Sequence, residues 1–467
     1  MKSQTAGIGF FGLAAMVVGT MIGGGAFNLP GAMAQGAGVG SVLIGWSITG
    51  LGMIMLAFVF QFLANLRPEL DGGIYAYAKE GFGRFIGFNS GWGYWMSAWI
   101  GTVANITLIF STLSYFFPIF SAEHRTFRLL MSALLIWGLF WLIRMGMREA
   151  ALLNIVTTIA KLVPLFLFII LILFAFRIET FQIDFWGSDG FSWSHVFPQV
   201  KSTMLVTLWA FVGIEGAVVL SSRARHKRDV GRATVIGLVG TLLIYMMISI
   251  FSFGVMTQEQ LAALPEPSMA YVLEAVVGPI GATFINIGLL VSLGGALLGW
   301  TILATEISYV ASRDGVFPRV FNRLNRNETP VNALFITQLF TQIVTVIALF
   351  SEQTYLVLSS IAGIAALVPY LFSALFGWKE ARRMHARRLL VVSGIASLYA
   401  AWLLYASGIE YVLIAMILYA PGIFVFMVAE REQGRPFLSR MQYAIAVLIL
   451  LAATYGVYGL LTATIAL

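Results

Sequence analysis

Long apolar runs alternate along the chain with short segments that gather nearly all the charged side chains. A helix crossing the hydrocarbon of a bilayer needs about 20 mostly apolar residues. By that rule thirteen spans are expected, near 8–34, 40–65, 86–117, 127–143, 149–176, 198–221, 233–256, 280–311, 332–350, 354–377, 390–408, 411–429 and 441–467. The runs are long and continuous and lack the short alternating segments of membrane β-strands, so they read as helices. The first imitates a signal peptide, with Lys2 ahead of it and Ala32-Met33-Ala34 resembling a cleavage site. Its apolar stretch is too long for that and is broken by glycines, so it reads as an uncleaved span.

Basic residues orient these spans. With a cytoplasmic N-terminus, Arg125, Arg128, Arg177 and Lys201 fall outside, Lys161 falls within a span, and the other twenty-three of the 28 lie inside. Such a bias places the N-terminus in the cytoplasm, and the C-terminus outside if the thirteenth span is real. It also explains the pI of about 9.6 as topology and attraction to an anionic leaflet, with no nucleic acid required.

Composition narrows the function. Of 467 residues 59% are hydrophobic and 10% charged, against about 25% charged in soluble chains, and the mean hydropathy is +0.89. A soluble enzyme, a secreted module and a disordered scaffold are all excluded. The chain has no cysteine, which removes disulfides, a thiolate zinc site and a thiol nucleophile together. His124, His195, His226 and His385 all sit in polar connections, so neither a metal site nor a cofactor is expected. The longest connections, about 177–197 and 257–279, are too short to be domains. The second carries Leu264-Pro265-Glu266-Pro267 and then an apolar stretch, which predicts a short interfacial helix. Gly7-Ile8-Gly9-Phe10-Phe11-Gly12 matches a dinucleotide fingerprint, but neither the preceding strand nor the βαβ unit is there. Asn105-Ile106-Thr107 and Asn327-Glu328-Thr329 match the glycosylation pattern but fall within the membrane and on the cytoplasmic side.

Two glycine clusters stand apart from ordinary helix packing. In span 1, Gly23, Gly24 and Gly25 follow one another at mid-membrane, each costing about 1 kcal/mol of helix propensity relative to alanine. Unwound backbone survives at that depth only where it lines a cavity or ligand site. In span 6, Gly213 and Gly216 flank Glu215. Spans 1 and 6 correspond if spans 1–5 and 6–10 are two halves, and paired interrupted helices at matching places point to an inverted-repeat transporter. Broken helix ends offer N–H groups to a carboxylate and C=O groups to an ammonium, the two ends of a free amino acid.

Three formal charges remain inside spans: Lys161, Glu215 and Glu306. Intramembrane charges are costly and usually functional. Glu215, lying in a break, reads as a functional group; Glu306 either faces the cavity or is tied to a cytoplasmic helix end. Lys161, three residues before Pro164, is expected to place its ammonium among carbonyls freed by a broken helix, where other transporters hold sodium. Trp209 and Trp300 are deeper than an interfacial belt and suit a cationic substrate. Tyr94, Trp95, Trp99 and Asn105 in span 3, with Ser359 and Ser360 in span 10, add aromatic and polar groups.

These stretches resemble the amino acid–polyamine–organocation superfamily over essentially the whole chain, in particular its basic amino acid/polyamine antiporters. The resemblance rests on Gly19-Thr20-Met21-Ile22-Gly23-Gly24-Gly25, Gly72-Gly73-Ile74-Tyr75-Ala76-Tyr77, Tyr94-Trp95-Met96-Ser97-Ala98-Trp99-Ile100-Gly101, Leu298-Gly299-Trp300-Thr301 and Ala311-Ser312-Arg313-Asp314-Gly315. Leu208 to Ala217 belongs with these matches, while Glu215 to Val219, Ser221-Ser222-Arg223-Ala224 and Asp229 to Thr234 are most similar to arginine/ornithine antiporters. The resemblance implies an all-α, five-plus-five inverted-repeat core over 1–377, with halves near 8–176 and 198–377, and further C-terminal spans over 378–467. It implies sodium-independent exchange of arginine, ornithine or lysine, by a monomer or homodimer. Ile22, Gly23, Gly24, Gly25, Ala98, Thr102, Trp209, Val212, Trp300 and Ser360 would meet the substrate. Glu215, Lys161, Tyr94 and Glu306 would gate or couple. The arginine/agmatine exchanger carries serine and asparagine where this chain has Gly24 and Thr102, which weakens agmatine exchange. A polytopic enzyme would need a nucleophile–base pair, metal site or cofactor motif, and none is visible. A channel or receptor is disfavoured by two mid-helix breaks and the absence of any sensor domain. Exchange of lysine or of arginine for agmatine, and proton-coupled uptake, remain as alternatives within transport.

Overall fold

The computed structural model describes residues 7–183, 185–187, 190–350, 355–436, 438–462 and 464–465, and among them every regular element is helical. Span 1 consists of two helices, Phe10–Met21 and Gly24–Ala34. Val39–Leu66, Arg84–Phe116, Arg125–Met145 and Met147–Ala175 form spans 2 to 5. Span 6, Trp193–Phe211, is bent by 40° from the short piece that begins at Gly216. Lys227–Ser252, Pro279–Arg313 and Val331–Phe350 are spans 7 to 9. Span 10 is again double, Tyr355–Ala365 and Leu367–Arg383. Spans 11 to 13 are Arg387–Ala406, Gly408–Glu432 and Arg440–Leu461. Among the described residues, twelve helices are long and apolar enough to cross a membrane, and thirteen when the bent pair counts as one.

Most helix ends lie within a few residues of the apolar runs. Span 7 begins six residues before its expected start at 233, because Lys227, Arg228 and Asp229 form a polar first turn. Span 6 begins at Trp193 rather than 198 because the Ser192 hydroxyl accepts from the His195 N–H at 3.3 Å and caps it there. The interruption of span 10 has a covalent cause: Pro369 has no N–H to give the Ala365 carbonyl. That oxygen instead accepts from the Tyr419 hydroxyl at 2.9 Å.

Spans 3 and 8 run through the middle of the bundle, with 89% and 78% of their apolar windows buried against 22% for spans 4 and 13. A helix apolar on all sides belongs at such a centre. Spans 1 and 5 pack on span 8, and span 7 on spans 1 and 2. Two further helices lie between spans 7 and 8, Gln258–Ala262 and Ser268–Val277. The second follows the Pro-Glu-Pro segment, where a short helix is expected.

The connection between spans 2 and 3 is not a plain loop. It folds as the helix Ile74–Phe82, buried against span 3 and the second half of span 10. Gly73 starts it at φ +53°, and a Cβ there would sit 2.8 Å from the Val218 carbonyl oxygen. Only glycine combines that conformation with that approach. Lys79, Asp71 and Arg67 are thereby held at the end of the bundle that carries most of the basic residues, called the basic end below.

Candidate functional site

Breaking span 1 at Ile22 and Gly23 releases a set of carbonyl oxygens that a continuous helix would have used. The fold supplies a donor for each. Gly19 and Ile22 accept from the Lys161 ammonium at 2.8 and 2.6 Å, and Ile22 also from the Ser292 hydroxyl at 3.1 Å. Thr20 accepts from the Trp300 indole N–H at 3.2 Å, and Met21 from the Tyr245 hydroxyl at 2.6 Å. Donors from spans 5, 7 and 8 therefore converge on one unwound turn. Lys161 is fully buried, so its charge is neutralised by oriented carbonyl dipoles rather than by water.

On the other side of the break, helix Gly24–Ala34 begins with no side-chain cap. Its first residues line a cavity walled by Gly23, Gly24, Gly25, Thr20, Asn105, Trp209, Val212, Trp300 and Tyr355, among others. Span 6 ends at Phe211, and its Ala210 and the following Val212 line the same cavity. The cavity thus meets one helix start and one helix end. A carboxylate suits the first and an ammonium the second.

Trp209 and Trp300 lie nearly parallel, 12° apart with ring centroids separated by 6.2 Å. The Trp209 indole N–H donates to the Tyr355 hydroxyl at 2.7 Å. Both residues also wall a second chamber, shared with Gly25, Asn28, Ser359 and Ser360. The Trp209–Tyr355 pair is therefore the partition between two compartments. Gly25 keeps that partition close: a Cβ there would lie 3.3 Å from both the Trp209 ring and the Tyr355 hydroxyl.

Glu215 lies beyond the cavity wall, fully buried. One carboxylate oxygen accepts from the Tyr370 hydroxyl at 2.5 Å and from the Gly213 N–H at 3.3 Å; the other has no partner. The Tyr94 hydroxyl faces the same carboxylate without closing a hydrogen bond of good geometry. Glu306 points away from the cavity. It pairs with Arg223 at 2.9 Å and accepts from the Ser222 hydroxyl at 3.0 Å. At the same basic end Lys79 meets Asp314 at 2.9 Å, and Asp71 takes Lys227 at 2.6 Å and Arg313 at 3.6 Å.

Residues 8–453 match the family model of the amino acid permeases. The chain belongs to that family. This permease is 48% identical over 468 residues to an arginine/ornithine antiporter of Pseudomonas aeruginosa, covering 96% of this chain and 97% of that one. It is 40% identical to an L-lysine transport protein of Corynebacterium glutamicum, over 97% and 95% of the two chains. An arginine/agmatine antiporter of Chlamydia caviae is 43% identical over 79% and 77%. Among solved structures, a substrate-bound, outward-open sodium-coupled sialic acid symporter superposes with a TM-score of 0.54 over 87% of this chain and 90% of that one. At 15% identity that likeness concerns the fold, a multi-pass helical transporter architecture.

Within the permease, Gly23, Gly24, Gly25, Trp209, Val212 and Trp300 come together on the inner cavity, and Ser360 on the outer chamber. Three positions that the family resemblance suggests do not reach either. Thr102 donates to the Ala98 carbonyl one turn back at 2.9 Å, Ala98 itself is buried and lines neither compartment, and Ile22 is buried with its carbonyl turned to Lys161. Tyr355 and Tyr370 escape a reading of the sequence, since an intramembrane tyrosine looks like packing until its hydroxyl partner is known. Ser292 and Tyr245, which close the span 1 break, were equally silent.

Proposed function

We propose that this permease is a sodium-independent antiporter of basic amino acids that exchanges arginine for ornithine by alternating access. The observation that carries the reading is the cavity at the span 1 break, where an uncapped helix start faces the end of span 6 between two tryptophans. A zwitterion fits the two helix ends, and an extended cationic side chain fits the indole faces. The arginine/ornithine antiporter name of the Pseudomonas aeruginosa relative supports the choice of substrates. Sodium independence is supported by the Lys161 ammonium, which occupies the carbonyls that a metal ion would otherwise need. In this reading the chain is a carrier and not an enzyme. It sits in a bacterial inner membrane with the basic end in the cytoplasm, following the distribution of Lys and Arg. Exchange of one monocation for another moves no net charge, so a product gradient suffices to drive import.

A second reading, exchange or uptake of lysine, is favoured by the Corynebacterium glutamicum relative, named as a lysine transport protein. Labelled arginine uptake into proteoliposomes loaded with ornithine, lysine, agmatine, a neutral amino acid or buffer separates the two. Uptake that requires internal ornithine or arginine, in sodium-free medium and without a membrane potential, is the expected result. Equal uptake into empty vesicles overturns exchange, and a response only to internal lysine selects the second reading.

A further inference from the structure

The inner cavity is walled mostly by groups whose hydrogen-bonding capacity is already spent. Thr20 donates back to the Met16 carbonyl and across to the Gly213 carbonyl. The indole N–H of Trp300 is held by Thr20 and that of Trp209 by Tyr355. Asn105 is different. It lies in span 3 with 1% of its surface exposed, lines the cavity, and its carboxamide oxygen has no partner. Thr102, one turn earlier on the same helix, is satisfied by its own backbone and is absent from the wall.

A buried amide oxygen without a donor is disfavoured unless something that enters the site completes it. What enters must carry N–H groups, and a charged N–H donor makes the stronger bond. The oxygen also abuts the unwound turn: a Cβ on Gly23 would lie 3.7 Å from it. Span 3 therefore offers an acceptor beside the unwound turn, in addition to the carbonyl end of span 6, which takes the α-ammonium in the reading above. From this juxtaposition we infer that the Asn105 carboxamide oxygen accepts a hydrogen bond from the cationic side chain of the bound amino acid, and so selects basic over apolar substrates. The inference rests on the proposed transport of basic amino acids and adds the residue that discriminates among amino acids.

The mechanism is selective because the penalty is one-sided. A guanidinium or ammonium side chain satisfies the oxygen. A norleucine side chain of similar length leaves it orphaned, and a site built to bond a polar group rejects the analogue lacking it far more strongly than an apolar pocket rejects an extra group. Thr102 contributes nothing to this choice while its hydroxyl stays on Ala98.

The test is binding and exchange by the purified full-length protein, with arginine and norleucine as paired ligands. Asn105→Leu removes the acceptor at similar volume and is expected to weaken arginine at least tenfold while norleucine holds or tightens. Asn105→Asp keeps the acceptor and loses the amide donor, and is expected to retain arginine binding. An equal loss of both ligands in Asn105→Leu, or no change in their ratio, overturns the inference. So does loss of both ligands in Asn105→Asp, which would assign the amide NH₂ to the substrate carboxylate. A native protein that takes no basic amino acid fails before any substitution is made, and that result overturns the transport reading as well. Monodisperse elution of each variant separates loss of selectivity from loss of folding.

Discussion

The ammonium of Lys161 donates to the Ile22 carbonyl at 2.6 Å, joining span 5 to the residue at which span 1 stops being a helix. The same nitrogen holds Gly19, so one side chain closes both sides of the first turn that unwinds. Lys161→Met preserves most of the stem and removes the charge. It leaves the Gly19 oxygen without its donor, a penalty of about 1–3 kcal/mol, while Ser292 still serves Ile22. A lower unfolding temperature and loss of exchange are expected, with the native protein equally active in sodium and choline media. Undiminished exchange in the variant would show that the ammonium is dispensable.

The Trp209–Tyr355 hydrogen bond separates the inner cavity from the outer chamber. Tyr355→Phe deletes the hydroxyl and keeps the ring. A hydrogen bond of this kind contributes about 0.5–1.5 kcal/mol, so the closed partition should lose roughly two- to tenfold in population. Pre-loaded arginine is expected to leave the variant faster by that factor. An unchanged dissociation rate would mean that the two rings, not the hydrogen bond, hold the partition.

Glu215 and Tyr370 are expected to act as a unit. A hydrogen bond to a charged group is worth about 1.5–3 kcal/mol. A double-mutant cycle of Glu215→Gln and Tyr370→Phe, read from unfolding, should return a coupling in that range. Simple additivity would mean that the hydrogen bond contributes nothing to stability.

The Arg223–Glu306 pair bridges the end of span 6 to span 8, with Glu306 1% exposed and Arg223 24%. Breaking a fully buried pair costs about 3–5 kcal/mol, and the partial exposure of Arg223 reduces that toward the surface range. Glu306→Gln should loosen the basic end. The native chain has no cysteine, so Val218→Cys gives a single reporter for thiol labelling. Faster labelling when Glu306→Gln is added is the expected outcome; no acceleration would leave closure to Asp71 and Asp314.

Glu266, between the two short helices that follow span 7, accepts from the Asn28 amide at 2.9 Å. Burial pushes its carboxyl above the usual range, against the opposing effect of that hydrogen bond. A carboxyl whose folded value is raised adds stability that is complete below its unfolded value of about 4.3. That stability is lost as pH rises through the folded value. Glu266→Gln keeps an acceptor for Asn28 and should flatten this part of the unfolding profile. A profile identical to that of the native protein would remove Glu266 as its source.

The apolar runs and the basic asymmetry were enough to read a helical, multi-pass chain with thirteen spans, because lipid permits so few backbone arrangements. Consecutive glycines and lone charges in those runs marked Gly23, Gly24, Gly25, Lys161, Glu215 and Glu306 as unusual for the same reason. The sequence alone could not say which partners they meet. Glu306 and Glu215 look alike as single carboxylates within spans, yet one bonds Arg223 at the basic end and the other Tyr370 behind the cavity. Thr102 and Asn105 sit one turn apart on span 3, yet one bonds its own helix while the other leaves its oxygen in the cavity. Helix periodicity determines which residues share a stripe. Only the packing of spans 1, 3, 6, 8 and 10 against one another decides which side chains find a partner, because partners such as Arg223 for Glu306 and Tyr370 for Glu215 are 83 and 155 residues away and leave no local pattern.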